Sequence, residues 1–312
     1  MSESEKPVLS VIVVIASDTT TPRAEVSLLA RCLEALSKQV NAPPTEIIIP
    51  YHPGVDGIDY LQNRFPEVAF VPATDLKGWS AAGSSREHHD ELKTRALKVA
   101  RGAIIGFLED NETPDERWCA RTVEAHRENY GGIGGAIENR IDRTLNWAVY
   151  YCDFGRYQNP IPSGDSTCAS DANVSYKRAA LESVRPAWEQ GFNEVTVNAA
   201  LTARGEKLAL RPDIIVYQQR SDLRLGAALR ERYVWGRSFG AVRCQVMGHP
   251  KRVVYAALSP LLPGIVALKM GGAAWKKRQN FGKFLKALPL ILLLLTSWSF
   301  GELLGYLTAR PG

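Results

Sequence analysis

Cysteine is scarce and unpatterned. Cys32, Cys119, Cys152, Cys168 and Cys244 contain no CxxC pair and leave an odd residue over, which argues against both a zinc site and a disulfide framework. They read as reduced thiols facing the cytoplasm. No GxGxxG fingerprint follows the first apolar run, and Gly131, Gly132, Gly134 and Gly135 come after a helical stretch instead of a strand, which disfavours a dinucleotide-binding dehydrogenase. An excess of one charge is also missing. A net charge of +5 on 312 residues is too mild to point to nucleic acid and suits an anionic membrane surface or a phosphorylated substrate equally well. The start, Met1 to Pro7, is polar, and the apolar run behind it is too short for a signal peptide, so the catalytic part is expected inside the cell. Internal repeats and low-complexity tracts are absent.

What is present is enough to bury a core. Apolar residues make up 45% and charged residues 23% of the chain, and the length suits one large domain plus an appendage. Val8 to Ile15 is an apolar run without alternation, as expected of a strand buried on both faces at the centre of a parallel sheet. Thr21-Pro22 opens a helix with apolar positions at Val26, Leu29, Leu33 and Leu36, and Glu46 to Ile49 returns as a strand. Val68 to Val71, Glu87 to Ala100 and Ala103 to Leu108 continue as strand, helix and strand. The alternation predicts a doubly wound, mostly parallel α/β sheet flanked by helices.

Thr113-Pro114-Asp115-Glu116 has the form of a capping box and predicts a helix to about Asn129. Glu109 to Glu112 then lies between a buried strand and a helix start, at the carboxyl end of the sheet where open α/β folds collect their ligands. Residues 131–220 are less regular and read as the acceptor-side half of the same domain.

At these positions the chain resembles the family 2 glycosyltransferases. Leu9 to Ile15 and Glu46 to Pro50 look like the first two strands, and Gly102 to Glu112 like the strand that delivers an acidic metal-binding motif. Ala172-Asn173-Val174-Ser175-Tyr176-Lys177-Arg178 resembles the Gly-x-Asn-x-x-x-Arg segment. Asn193-Glu194 with Leu201 and Gly205 resembles the Glu-Asp motif, and Arg232 to Arg237 falls where the family often has an Arg/Trp helix. The resemblance implies a GT-A fold over residues 1–245 and inverting, hexosyltransferase-like transfer in cell-envelope polysaccharide synthesis. The donor would be a nucleotide sugar and the acceptor lipid-linked or a glycan.

The implied chemistry assigns roles to residues. Glu194 is the general base that takes the acceptor proton. Glu109 and Asn111 are metal ligands for Mg²⁺ or Mn²⁺ bridging the diphosphate, where the family usually carries aspartates. Lys93, Arg95, Asp110, Asn173 and Arg237 are donor-binding candidates. The same acidic residues also suit a solvated loop or a helix start, whose N-terminus favours negative charge. Tyr51-His52 replaces the aspartates that usually follow the second strand, and His52 is a possible partner for the base. His88-His89 reads as a solvated helix start. The aromatics Trp147, Tyr150, Tyr151, Phe154 and Tyr157 suit a core at helical spacing or, alternatively, a sugar platform. A degenerate membrane-attached binding or scaffold protein remains the alternative function.

Membrane signals come late, in Val253 to Met270 and in Ala287 to Leu307, where Glu302 is the one charge. Residues 246–312 are therefore expected to form a membrane-associated helical tail at the cytoplasmic face of the inner membrane. Lys269 at the end of the first run, with Lys276, Lys277, Arg278, Lys283 and Lys286 between the two, forms a basic stretch that two crossings would export against the positive-inside tendency. With Pro260 and Pro263 as interruptions, the first run is expected to be re-entrant or interfacial, and the second spanning or embedded beside it.

Overall fold

The computed structural model describes residues 6–17, 26–79, 85–221, 223–245 and 247–310, residue 245 by its backbone alone. In chain order the elements are β1 (Leu9–Val14), α1 (Val26–Ser37), β2 (Thr45–Tyr51), α2 (Ile58–Arg64), β3 (Ala69–Pro72), α3 (Arg86–Val99), β4 (Ile104–Glu109) and β5 (Glu112–Pro114). There follow α4 (Trp118–Ala125), β6 (Gly132–Asn139), α5 (Thr144–Phe154), β7 (Gly164–Ser166), β8 (Asn173–Lys177), α6 (Arg178–Ser183), α7 (Glu194–Ala203) and β9 (Leu208–Gln218). The last helices are α8 (Leu225–Gln245), α9 (His249–Leu258), α10 (Leu262–Lys277) and α11 (Phe281–Thr308). They form two compact units, Met1–Arg140 with Tyr157–Arg220, and Ile141–Arg156 with Ser221–Gly312.

The first unit is built on a nine-stranded sheet of order β3-β2-β1-β4-β8-β6-β9-β5, with β7 added against β9, among the described residues. All six residues of β1 are buried, which is why an apolar run without alternation forms it: both faces are covered. Pairing is parallel across β3, β2, β1 and β4. It turns antiparallel where β8 joins β4 and β6, and β6 and β9 are again parallel. The chain leaves the β3 edge through α3 and re-enters on the other side of β1 as β4. That reversal makes the carboxyl ends of β1 and β4 the switch point at which such sheets hold ligands.

One expectation is corrected at that point. Thr113-Pro114 does not open a helix, because β5 pairs antiparallel with β9 through Glu112–Gln218, Thr113–Tyr217 and Pro114–Val216. Pro114 is tolerated as the last residue of an edge strand, where a missing N–H costs little. The helix begins only at Trp118, after Asp115 Oδ1 has accepted from Arg117 N at 3.2 Å. The expected start of α1 at Thr21-Pro22 lies outside the described residues.

The second unit is helical. The α8 helix, expected within residues 1–245 of the sheet domain, clusters with α11 instead. The cause is a seam of glycines: a Cβ on Gly236 would sit 2.1 Å from Trp298 O, and one on Gly301 would sit 2.1 Å from Tyr233 O. Gly240 and Gly305, one turn on, meet the facing backbone as closely, at 2.5 and 2.3 Å. The Gly-xxx-Gly spacing on both helices lets the two backbones touch. The α5 aromatics, also assigned to the first domain by sequence, belong here: Trp147, Tyr150 and Tyr151 are buried, and Tyr151 meets Phe284 edge-on at 5.1 Å. Arg232 binds both oxygens of Asp153 at 2.6 and 2.5 Å, tying α8 to α5.

Pro260 and Pro263 interrupt the first apolar run only locally. α9 passes through one 3-10 turn, Ser259–Leu261, into α10, whose first turn accepts Pro263. Residues His249–Lys277 and Phe281–Thr308 are two helices long and apolar enough to cross a membrane, by length and composition. Val253, Leu261, Leu268, Trp275 and Phe300 are among their exposed apolar side chains.

Candidate functional site

Three segments of the first unit converge on one charged cluster. The first is α3, which presents Arg86, His89, Asp90 and Lys93 at positions one and two turns apart, hence on one face. The second is the turn before β8, closed by Asn173 N donating to Ser170 O at 2.9 Å, which carries Asp171. The third is the start of α7. Here Phe192 is fully buried and stacks on Phe107 of β4 at 4.4 Å, and its N–H donates to Asp90 O at 2.9 Å. Asn193 then caps α7 by accepting from Thr196 N, so Glu194, the first helical residue, is delivered beside α3.

The contacts are ionic. Lys93 is buried and pairs with Asp171, and stands 3.6 Å from Asp90. Arg86 Nη2 donates to both Glu194 oxygens, at 2.9 and 2.7 Å. Burial acts to lower the Lys93 ammonium, but Asp171 and Asp90 outweigh it and hold its pKa above the ordinary value. Burial likewise acts to raise Asp171, and Lys93 with Arg86 reverses that. Glu194 is raised, chiefly by burial and then by Asp171, against the pull of Arg86 and Lys93. Glu109, at the carboxyl end of β4, is pushed up to about 7 by burial and Asp171, with Lys93 opposing. Glu109 and Glu194 thus lie in the field of the same two groups.

Among the residues singled out by sequence, Glu109, Lys93 and Glu194 are brought together, and others are employed elsewhere. Asp110 accepts from Ala16 N at 2.9 Å and Ser17 N at 3.1 Å, and from the Ser17 hydroxyl, so it fastens the turn after β1. Asn173 is a strut inside the sheet: its Nδ2 donates to Ala136 O and Ile214 O, both at 2.9 Å, and its Oδ1 accepts from Trp118 Nε1. Arg95 pairs with exposed Asp75 on the surface. Arg237 belongs to the helical unit, where its Nε donates to Arg310 O at 3.3 Å. His88 and His89 are buried, not solvated, and His52 stacks on Trp79 at 3.7 Å with His88 edge-on beyond it.

Sequence reasoning did not find Arg86, Asp90 and Asp171. The available signal was the 86, 90, 93 spacing on one helix, together with an aspartate immediately before Ala172-Asn173. An open hollow of about 490 Å³, lined by Asp165, Ser166, Thr202, Glu206 and Lys207 among others, lies off the far end of α7, about 12 Å along the helix from Glu194.

Among the described residues no group of three or more His, Cys, Asp or Glu side chains is arranged to hold a metal. The buried Asn111 Oδ1 has no hydrogen-bond partner there. Asn111 Oδ1 and the Glu109 carboxylate, two residues apart at the end of β4, are hard oxygen donors in kind. Such a set fits Mg²⁺ or Mn²⁺ only if substrate phosphates complete the shell, the usual arrangement for a metal that arrives with a nucleotide.

No family model and no curated protein matches the chain. Solved structures do. The mannosyltransferase PcManGT from Pyrobaculum calidifontis, in complex with GDP-Man and Mn²⁺, has a TM-score of 0.55 at 14% identity, covering 96% of this chain and 88% of its own. S. aureus TarS 1-349, in complex with UDP-GlcNAc, has a TM-score of 0.46 at 11% identity over 72% of this chain and 65% of its own. The TarS structure without that restriction is covered over 39%, so this chain spans less than two thirds of either TarS chain. The likeness to the mannosyltransferase identifies the fold: a GT-A-like glycosyltransferase fold of mixed α/β sheet flanked by helices.

Proposed function

We propose that the chain is an inverting glycosyltransferase that moves a sugar from a nucleotide-sugar donor to a lipid-linked or glycan acceptor. The observation that carries this reading is the convergence of Glu109 and Glu194 on Asp171 and Lys93, at the switch point of a GT-A-like sheet. Glu194 is the general base: its carboxylate takes the proton of the acceptor hydroxyl as the oxygen attacks the anomeric carbon, opposite the departing diphosphate. Burial raises its basicity toward the working pH. Lys93 fixes Asp171 and keeps the cluster's negative charge from collapsing into protonated carboxyls. Glu109 and Asn111 would hold the divalent cation, which neutralises charge on the leaving diphosphate. The mannosyltransferase of similar fold, solved with GDP-Man and Mn²⁺, supports both donor class and metal.

The helical unit is the membrane-associated part, at the cytoplasmic face of the inner membrane. Its support is the pair of apolar helices with exposed Val253, Leu268, Trp275 and Phe300, flanked by Lys276, Lys277 and Lys283, which suit anionic lipid.

A thermal-shift screen of nucleotide sugars, with and without manganese, tests the proposal, because a ligand specific to the folded state raises apparent stability. A metal-dependent shift with one nucleotide sugar is the expected result. No shift with any would favour the alternative, a degenerate binding or scaffold protein, for which the neutral Asn111 speaks.

A further inference from the structure

Glu194 is not free to act as a base in this structure. A single guanidinium nitrogen of Arg86 donates to both carboxylate oxygens, at 2.9 and 2.7 Å. The Glu194 side chain is 12% exposed and that of Arg86 53%, so the arginine is the solvent-accessible member of the pair. This grip occupies an acceptor site on each oxygen and opposes the rise in basicity that burial gives Glu194, so the arginine competes with an approaching hydroxyl. Lys93 differs from it. Buried between Asp171 and Asp90, it is a fixed counter-charge, whereas the half-exposed Arg86 at the first position of α3 can change partners.

We propose that Arg86 is a latch on Glu194, holding the carboxylate closed in the free protein and drawn off by the diphosphate of an arriving donor, so that donor binding arms the base. Guanidinium binds phosphate oxygens bidentately, and a diphosphate beside the cluster competes for Arg86 with Glu194, Asp171 and Asp90. Once Arg86 has moved, Asp171 and Lys93 are the charged groups left acting on Glu194, and Asp90 loses Arg86 as a neighbour. Burial and Asp171 then favour proton uptake from the acceptor. A consequence is compulsory order, donor before acceptor. The inference rests on the reading of Glu194 as base, and Arg86 acts through it as a positioning residue.

Binding of GDP and of UDP with Mn²⁺ to the full-length, detergent-solubilised protein tests this without turnover. Glu194→Gln removes the competing anion, so it should bind the nucleoside diphosphate more tightly, by about tenfold for an interaction of about 1.4 kcal/mol. Arg86→Ala should bind more weakly by a similar factor, with Arg86→Lys in between as a check that the fold survives. The double variant Arg86→Ala with Glu194→Gln should match Arg86→Ala alone, since no latch is left to release. Unchanged binding in Glu194→Gln, or a tightening that persists in the double variant, overturns the latch and leaves the base assignment standing. That assignment is read separately, from loss of transfer in Glu194→Gln. A wild-type protein that binds neither nucleotide contradicts the donor reading and takes the latch with it.

Discussion

Both units bury charged side chains, but they balance them differently. In the helical unit Arg232 has its own carboxylate, Asp153, held by two hydrogen bonds. Glu302 accepts from the Tyr306 hydroxyl at 2.8 Å, and Arg243 donates to that hydroxyl at 2.9 Å. In the sheet unit Asp90, Glu109, Asp171 and Glu194 share Lys93 and Arg86, with His89 also acting on Glu109 and Asp171. A matched buried pair can exchange for an apolar pair at little cost, whereas surplus buried carboxylate is costly at rest. The surplus in the sheet unit gathers at the mouth of its sheet, where the proposed reading has positive charge arrive.

The contrast can be broken most severely at Lys93. Lys93→Met leaves Asp171 buried without its cation and should cost the sheet unit about 3–5 kcal/mol, read as loss of hydrogen-exchange protection in β4 and β8. In the helical unit the vulnerable feature is close approach, not charge. Gly301→Val drives a side chain into the Tyr233 carbonyl and should cost about 1–3 kcal/mol, visible as earlier thermal unfolding of that unit.

A neutral buried group gives a smaller, pH-dependent effect. His126 is buried and hydrogen-bonded to Ser175 Oγ at 2.8 Å, and burial, with Lys177 adding, pushes its pKa down to about 3. The unfolded chain therefore takes up a proton first as pH falls below about 6.5, so the stability His126 contributes is complete above that pH and declines toward 3. By pH 5 the loss should reach about 1–2 kcal/mol, and His126→Gln should flatten the dependence of melting temperature on pH. Smallest of all, Arg95→Met removes an exposed pair with Asp75 and should change stability by less than about 1 kcal/mol. An effect as large as that of Lys93→Met would erase the distinction drawn between Lys93 and Arg95 on α3.

How much of this was legible in the sequence follows from which forces decide each element. The central strand and the helix containing Leu29 and Leu33 announce themselves because burial sets a period, and periods survive in one dimension. β5 did not, since its local capping pattern was overridden by a ladder to β9, about a hundred residues away. The α5 and α8 helices were assigned to the wrong neighbour for the same reason, the glycine seam and the Arg232–Asp153 pair being long-range. At the candidate site, motif order singled out Glu109, Lys93 and Glu194, and the structure places all three in one charged cluster. Asp110 and Asn173 have the same motif standing, yet their hydrogen bonds are spent on Ala16, Ser17, Ala136 and Ile214. Single charges such as Arg86 and Asp171 carry no periodic signal and become visible only when three segments meet.

The most direct test of the central claim is sugar transfer, or donor hydrolysis, by the purified protein with manganese and a nucleotide sugar, compared between wild type and Glu194→Gln. Loss of a positioned base predicts a fall of about 10²- to 10⁴-fold in kcat, with nucleotide still bound and circular dichroism unchanged. A Glu194→Gln protein that turns over at the wild-type rate would contradict the account.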